Sequence, residues 1–244
     1  MPTFFVEKNQ IQQGFVTIRG KDAAHITKSL RMSIGEGITV CDGQGSDYDC
    51  ILTAVSPEEV VGRIRQQGDS EGEPTVAVHV YVALSKGDKM DYVVQKVTEL
   101  GAFAVHPFLS ERCVSKPDSK AIAKKTQRWQ KIMSEAAKQC GRGKIPTVDP
   151  AVSFSEAIRQ AAETEMPLFL YENEQRHGIK EVLSQKAFRT VSVVIGPEGG
   201  FAEHEVSEAL EQGMQCVSIG KRILRCETAP LAAVACVMYH SDNF

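Results

Sequence analysis

The sequence has little of what several common functions require. Aromatic residues make up 7% of it, with a single Trp, too few for a platform on which unpaired bases stack. Its seven cysteines, at 41, 50, 113, 140, 216, 226 and 236, are odd in number and include no Cys-x-x-Cys pair. A zinc module and a disulfide framework are therefore not supported, and free thiols in a reducing cytoplasm are expected. The six histidines are scattered, and His204-Glu205 has no partner at helical spacing, so no metal site is expected. The glycine fingerprint of the Rossmann oxidoreductases is missing, and a Ser-His-Asp hydrolase is not expected. The longest apolar stretch, Ala229 to Tyr239, is interrupted by Pro230 and falls short of the roughly 20 residues a spanning helix needs. Met1 is followed by Pro2-Thr3-Phe4-Phe5 rather than by a basic start and an apolar run, so no secretory leader and no membrane partner are expected.

What is present is ordinary globular composition. The 244 residues are 42% hydrophobic and 24% charged, enough for one or two domains. Up to about Arg65, Phe15–Ile18, Ile38–Cys41, Tyr48–Leu52 and Val60–Ile64 alternate as strands do, with Asp42-Gly43 and Gln44-Gly45 as turns. One helix is predicted from Asp22 to Arg31. Several short strands with one helix point to a small β-barrel. Gln66 to Pro74 is polar and glycine-rich and is predicted to be a linker.

The pattern changes after Pro74. Val76 to Leu84 is nearly continuously apolar, as in a strand covered on both faces. A helix is predicted over Asp88–Leu100, a strand over Ala102–Phe108, then a basic helix. Strands over Leu168–Tyr171, Val191–Ile195 and Cys216–Ile219, a helix over Glu203–Gln212 and a last helix from Thr228 complete the chain. Strands alternating with helices predict an α/β domain with a mainly parallel sheet. The domains expected are residues 1–70 and 74–244.

Two loops carry chemistry. Ile195-Gly196-Pro197-Glu198-Gly199-Gly200-Phe201 lies between a strand and a helix, where glycine lets a backbone approach a ligand and where open parallel sheets bind ligands. A plain structural turn fits the same residues. Ile219-Gly220-Lys221-Arg222-Ile223-Leu224-Arg225-Cys226-Glu227-Thr228-Ala229-Pro230 also follows a strand. There Thr228 is predicted to cap the helix and Pro230 to sit in its first turn. Lys221 and Arg222 read most simply as solvated charge; Arg225 and Glu227 flank the helix start.

The third feature is charge. Ten Lys and Arg fall between Arg112 and Lys144 against only Asp118 and Glu135, so this segment carries +8 in a chain of net charge −3. Lys120, Lys124, Arg128, Lys131, Lys138 and Arg142 recur at helical steps, opposite Ile122, Trp129, Ile132, Met133, Ala136 and Cys140. Such a stripe suits the phosphates of a nucleic acid; an acidic protein partner is the alternative.

Together these loops resemble the bacterial small-subunit (16S) ribosomal RNA uridine-N3 methyltransferases, members of the knotted SPOUT superfamily. Leu84 to Met90, Gln95 to Ala102, Ser110 to Val114, Glu135 to Arg142 and His25 to Met32 are similar to other parts of that family, so the resemblance spans the chain. Ala202 stands where the family often has a Ser or Thr helix cap, and Glu203 and Glu205 are placed to offset its loss through the helix dipole. The resemblance implies an RNA-binding PUA-like β-barrel followed by a SPOUT domain with a trefoil knot, and a homodimer acting on 16S ribosomal RNA or the small subunit. It implies S-adenosyl-L-methionine held by Leu170, Tyr171, Ile195, Gly196, Gly199, Gly200, Ile219, Gly220, Ile223, Leu224, Arg225, Thr228 and Ala229.

Methylation at uridine N3 requires the imino proton to leave, because protonated N3 has no free lone pair. Arg225 is the expected stabiliser of the uracil anion. Glu227 or Glu198 is either the proton acceptor or a structural hydrogen-bond acceptor. Arg31, Lys86, Arg112, Lys120, Lys124, Arg128, Lys131 and Arg142 are expected to hold the RNA. The competing readings are a ribose 2′-O-methyltransferase of the same superfamily and a non-catalytic RNA-binding assembly factor.

Overall fold

A computed structural model describes residues 1–244. The chain divides into two compact units, Met1–Glu73 with Ala137–Ile145, and Pro74–Ala136 with Pro146–Phe244.

The first unit contains β1 (Thr3–Phe5), β2 (Ile11–Gln12), β3 (Phe15–Arg19), α1 (Lys21–Ala24), β4 (Gly37–Cys41), β5 (Ser46–Val55) and β6 (Glu59–Asp69). They form a six-stranded sheet in the order β1-β4-β5-β6-β3-β2, antiparallel except where β1 runs parallel to β4. Alternation along the strands turns Val16, Ile18, Ile38, Val40, Cys50, Leu52 and Val60 into one core with Ala23 and Ile26. Each large aliphatic side chain so buried contributes roughly 1.5–3 kcal/mol. Irregular register between β5 and β6, at Asp49/Cys50 and Leu52/Ala54, bends the sheet around that core.

Two predicted elements differ here. The helix expected over 22–31 is a short α1 followed by a π-helical turn, His25–Ser29, and Arg31 takes a left-handed φ of 54°. The linker expected over 66–74 begins later, because Gln66–Asp69 pair with Ser46–Asp49 across β5; ladder hydrogen bonds override polar composition there. Gly68-Asp69-Ser70-Glu71-Gly72 has the spacing of a serine-hydrolase elbow. No helix follows it, and the buried Ser70 hydroxyl has no hydrogen-bond partner, so nothing activates that serine.

The second unit contains β7 (Ala77–Ala83), α2 (Lys89–Glu99), β8 (Ala104–Leu109), α3 (Ser119–Cys140, whose last turn groups with the first unit), β9 (Thr147–Val148), β10 (Val152–Ser153), α4 (Phe154–Ala161), β11 (Met166–Leu170), α5 (Ile179–Leu183), β12 (Thr190–Ile195), α6 (Glu203–Glu211), β13 (Gln215–Val217) and α7 (Ala229–His240). Its sheet runs β10-β8-β7-β12-β11-β13, with β9 also on β8, and every pairing is parallel. The central strands β7 and β12 are apolar almost throughout because helices cover both faces. α7 packs on α2, α5, β7 and β12. α4 and α5 are additional to the predicted elements; Ser153 caps α4 by accepting the Glu156 amide. No helix is long and apolar enough to cross a membrane.

Candidate active site

β11, β12 and β13 point their carboxyl ends into one cleft of about 590 Å³, a volume that suits a cofactor-sized ligand. The loops leaving β12 and β13 form its walls, and Leu170 and Tyr171 its end. Of the residues expected to hold a cofactor, Leu170, Tyr171, Ile195, Gly196, Gly199, Gly200, Ile219, Gly220, Ile223, Leu224, Arg225 and Ala229 line this cleft. Thr228 does not: its amide closes a turn onto the Arg225 carbonyl at 2.8 Å, and its side chain makes no cap hydrogen bond. It has helical backbone angles rather than the extended ones a capping side chain needs.

The glycines make the cleft. A Cβ at Gly196 would press on the Phe201 ring at 3.0 Å, and one at Gly199 on the Arg112 side chain at 3.3 Å. Gly200 has a φ of +67° and Gly220 one of +145°, conformations that suit glycine. The α6 that follows starts without a side-chain cap on Ala202. Glu205 reaches back instead to the Ala202 amide at 2.9 Å, and also accepts the Ser110 hydroxyl at 3.1 Å and the Glu111 amide at 3.0 Å.

The three expected catalytic residues, Arg225, Glu227 and Glu198, all border the cleft. Arg225 is exposed and its guanidinium makes no hydrogen bond or ion pair. The two carboxylates converge on Lys89, with Nζ 3.0 Å from Glu198 Oε1 and 3.5 Å from Glu227 Oε2. Burial pushes the Glu198 carboxyl up, but its own backbone amide and Lys89 outweigh this and hold it below the usual range. Glu227 is likewise lowered, first by the hydrogen bond with the Cys226 thiol and then by its own amide. Burial and that same Glu227 contact push the Cys226 thiol up to about 12.

Lys89, Glu172, Pro197, Val217, Ser218, Lys221, Arg222 and Cys226 complete the lining. For Lys89 the sequence held one signal: it opens α2, where a cation opposes the helix dipole.

The expected RNA-binding cations are placed unequally. Arg31, Lys86, Lys120, Lys124 and Lys131 are exposed. Arg112 donates to the Gly199 carbonyl at 3.0 Å and so braces the cleft loop. Arg128 pairs with Asp91, which also accepts the Trp129 indole at 3.0 Å. Arg142 departs from the expectation. It is 4% exposed, and its Nη2 lies 2.9 Å from Glu73 Oε2, so its charge is spent inside the first unit. On the apolar side of α3, Trp129, Met133 and Ala136 are buried as expected, whereas Cys140 is exposed.

The comparisons with known proteins agree with this geometry. Residues 72–238 match the model of the RNA methyltransferase domain, and residues 18–65 that of the RNA methyltransferase PUA domain. The chain is 34% identical to the ribosomal RNA small subunit methyltransferase E of Bacillus subtilis, over 99% of this chain and 98% of that one. Among solved structures it is similar to a ribosomal RNA small subunit methyltransferase E from Neisseria gonorrhoeae bound to S-adenosyl methionine (32% identity, covering 98% and 97% of the two chains, TM-score 0.81). It is also similar to a putative methyltransferase from Legionella pneumophila in complex with the same cofactor (29% identity, 98% and 97%, TM-score 0.82). A parallel sheet with a glycine-walled cleft at its carboxyl edge, and a full-length match, together place the chain in the RNA methyltransferase family that carries an N-terminal PUA domain.

Proposed function

We propose that the protein is an S-adenosyl-L-methionine-dependent methyltransferase that modifies N3 of a uridine in small-subunit ribosomal RNA. The observation that carries this reading is the glycine-walled cleft with the unpaired Arg225 at its rim. The cleft fits the cofactor, since glycines at 196, 199, 200 and 220 open its walls and Leu170, Ile195, Ile219 and Leu224 give it an apolar lining beside polar groups. When bound there, the cofactor supplies an electrophilic methyl group.

The residues of this chain then have separable tasks. The glycines of the β12–α6 loop and Ile219 to Leu224 hold the cofactor. Arg225 faces the uracil and stabilises the anion formed when the N3 proton leaves, an electrostatic task that an unpaired guanidinium performs well. Glu198 and Glu227 are poor proton acceptors, because both are held as carboxylates of lowered basicity; they serve as hydrogen-bond acceptors for Lys89. N3 lies on the pairing edge, so the target base enters unpaired or extruded.

Residues 1–70 and the exposed lysines of α3 grip backbone phosphates. Residues 74–244 form the catalytic domain, with the chain after β13 drawn through a trefoil knot. The protein works in the cytoplasm as a homodimer, and the outer side of α7 supports a subunit contact: Leu231, Ala232, Ala235 and Cys236 are half-buried there, and Tyr239 is 78% exposed.

Mass-spectrometric mapping of methyluridine in ribosomal RNA from cells with and without the protein tests the reaction. Loss of one N3-methyluridine is expected. An unchanged map together with no cofactor binding would favour a non-catalytic RNA-binding factor. Arg225→Ala should abolish methylation and leave RNA binding within about twofold, since the cations that grip the phosphates are untouched; full turnover would remove Arg225 from the mechanism.

A further inference from the structure

We propose that Lys89 is a positioning residue that pins the two loops of the cleft together and keeps Arg225 free to meet the substrate. The inference rests on the reading of the cleft as a methyltransferase site and adds a residue that neither loop contains. Lys89 stands at the start of α2, on the connection leaving β7, the strand beside β12. From this third element its ammonium reaches Glu198 on the β12–α6 loop at 3.0 Å and Glu227 on the β13–α7 loop at 3.5 Å. It also lies 3.7 Å from the Cys226 sulfur. The three charged side chains are 35%, 30% and 20% exposed, so their attraction is screened less than that of fully exposed charges.

The charge arrangement gives the pin its role. Two carboxylates facing one cation repel one another less than they attract it, so the lysine draws both loops inward. Without it, Glu198 and Glu227 would push the walls apart. A replacement cation is at hand in the unpaired guanidinium of Arg225, two residues before Glu227 on the same loop and lining the same cleft. A bidentate arginine–carboxylate pair is strong and would withdraw Arg225 from the uracil. The position is otherwise unfavourable for lysine, because the first residue of a helix faces the positive end of the dipole. The two glutamates offset that cost.

The test compares the full-length wild type with Lys89→Met, Lys89→Arg and Glu198→Gln. It measures S-adenosyl-L-methionine affinity by calorimetry, single-turnover methylation of small-subunit ribosomal RNA, and the pH profile of cofactor binding. Lys89→Met is expected to weaken cofactor binding about tenfold, as removal of a sheltered charge partner does, and to slow the methylation step of the saturated enzyme further. Lys89→Arg restores most of both. The acid limb of the binding profile, which in the wild type marks protonation breaking the pin, is lost in Lys89→Met, because protonating two carboxylates with no cation between them relieves their repulsion instead; a merely structural lysine would leave that limb in place. Glu198→Gln, which removes half of the pin without touching Lys89, weakens binding in the same direction. Lys89→Met indistinguishable from wild type, or Lys89→Arg no better than Lys89→Met with the acid limb still in place, overturns the proposal. A wild type that binds no S-adenosyl-L-methionine instead overturns the functional reading itself.

Discussion

Single residues here take their roles from partners distant in sequence. Glu205 is 2% exposed and accepts from the Ala202 amide, the Ser110 hydroxyl and the Glu111 amide. Its contribution exceeds the helix-dipole effect expected from its place in the first turn of α6. Glu205→Ala would leave three sheltered donors without a partner and should cost about 2–4 kcal/mol. The urea midpoint would fall with an unchanged denaturant slope; a variant as stable as wild type contradicts this account. Cys226 gives a chemical test. With its thiol pushed up to about 12, almost no thiolate is present near neutral pH, and the thiolate is the nucleophile. Iodoacetamide at about pH 8 should spare Cys226 in the native protein and label it in urea, as peptide mapping would show. Equal rates in both states would mean that the thiol is not held by its surroundings.

At the scale of elements, the basic segment of α3 and the residues just after it holds two kinds of cation. Lys120, Lys124 and Lys131 are exposed. Changing all three to Gln should lower RNA affinity and reduce its salt slope by about 0.7–0.9 for each phosphate no longer neutralised. Stability should change little. Arg142→Gln should do the reverse. It breaks a pair whose side chains are 5% and 13% exposed, at a cost of about 3–5 kcal/mol, with its first effect on folding measured by urea melts. Adjacent strands β7 and β8 carry a different device. His79 Nδ1 lies 3.1 Å from His106 Nε2, and His106 Nδ1 lies 2.7 Å from Asp149 Oδ2. Burial, then the neighbouring His106, lowers the His79 pKa from 6.5, against a smaller opposing pull from Asp149. The unfolded chain therefore takes up this proton first, so the native state loses stability as pH falls below 6.5. Asp149, lowered chiefly by the His106 hydrogen bond, acts in the same direction at more acid pH; its exposure keeps that share small. His79→Phe should flatten the decline in unfolding free energy between about pH 7 and pH 5. An unchanged slope in urea melts would remove His79 from the pH response.

For the whole molecule, the question of assembly rests on α7, which is apolar on nearly every side, packs on the sheet, α2 and α5, and keeps Tyr239 exposed. Ala235→Glu should shift the sedimentation coefficient from dimer to monomer, because a charge in a subunit interface leaves an unpaired ion; a monomeric wild type would refute the dimer outright. The alternation of strand and helix after Pro74 was legible because hydrophobic period is a local property of the chain. So were the two ligand loops, whose glycines follow strands. Recurrent loop residues carried the cofactor and the reaction class through family resemblance, which spacing alone did not reveal. The tertiary structure decided what depends on pairing across distance. Arg142 has the same helical spacing as the other cations of its stripe, yet Glu73, 69 residues away, buries it. Lys89 looks like a surface lysine until Glu198, 109 residues on, meets it across the cleft. The sequence by itself determined most strands and helices after Pro74, the parallel sheet and the two loops that wall the cleft, because each is written in neighbouring residues. Only the folded chain decided which charges are free to act, because a side chain's charge is cancelled or left available by whatever the fold sets against it.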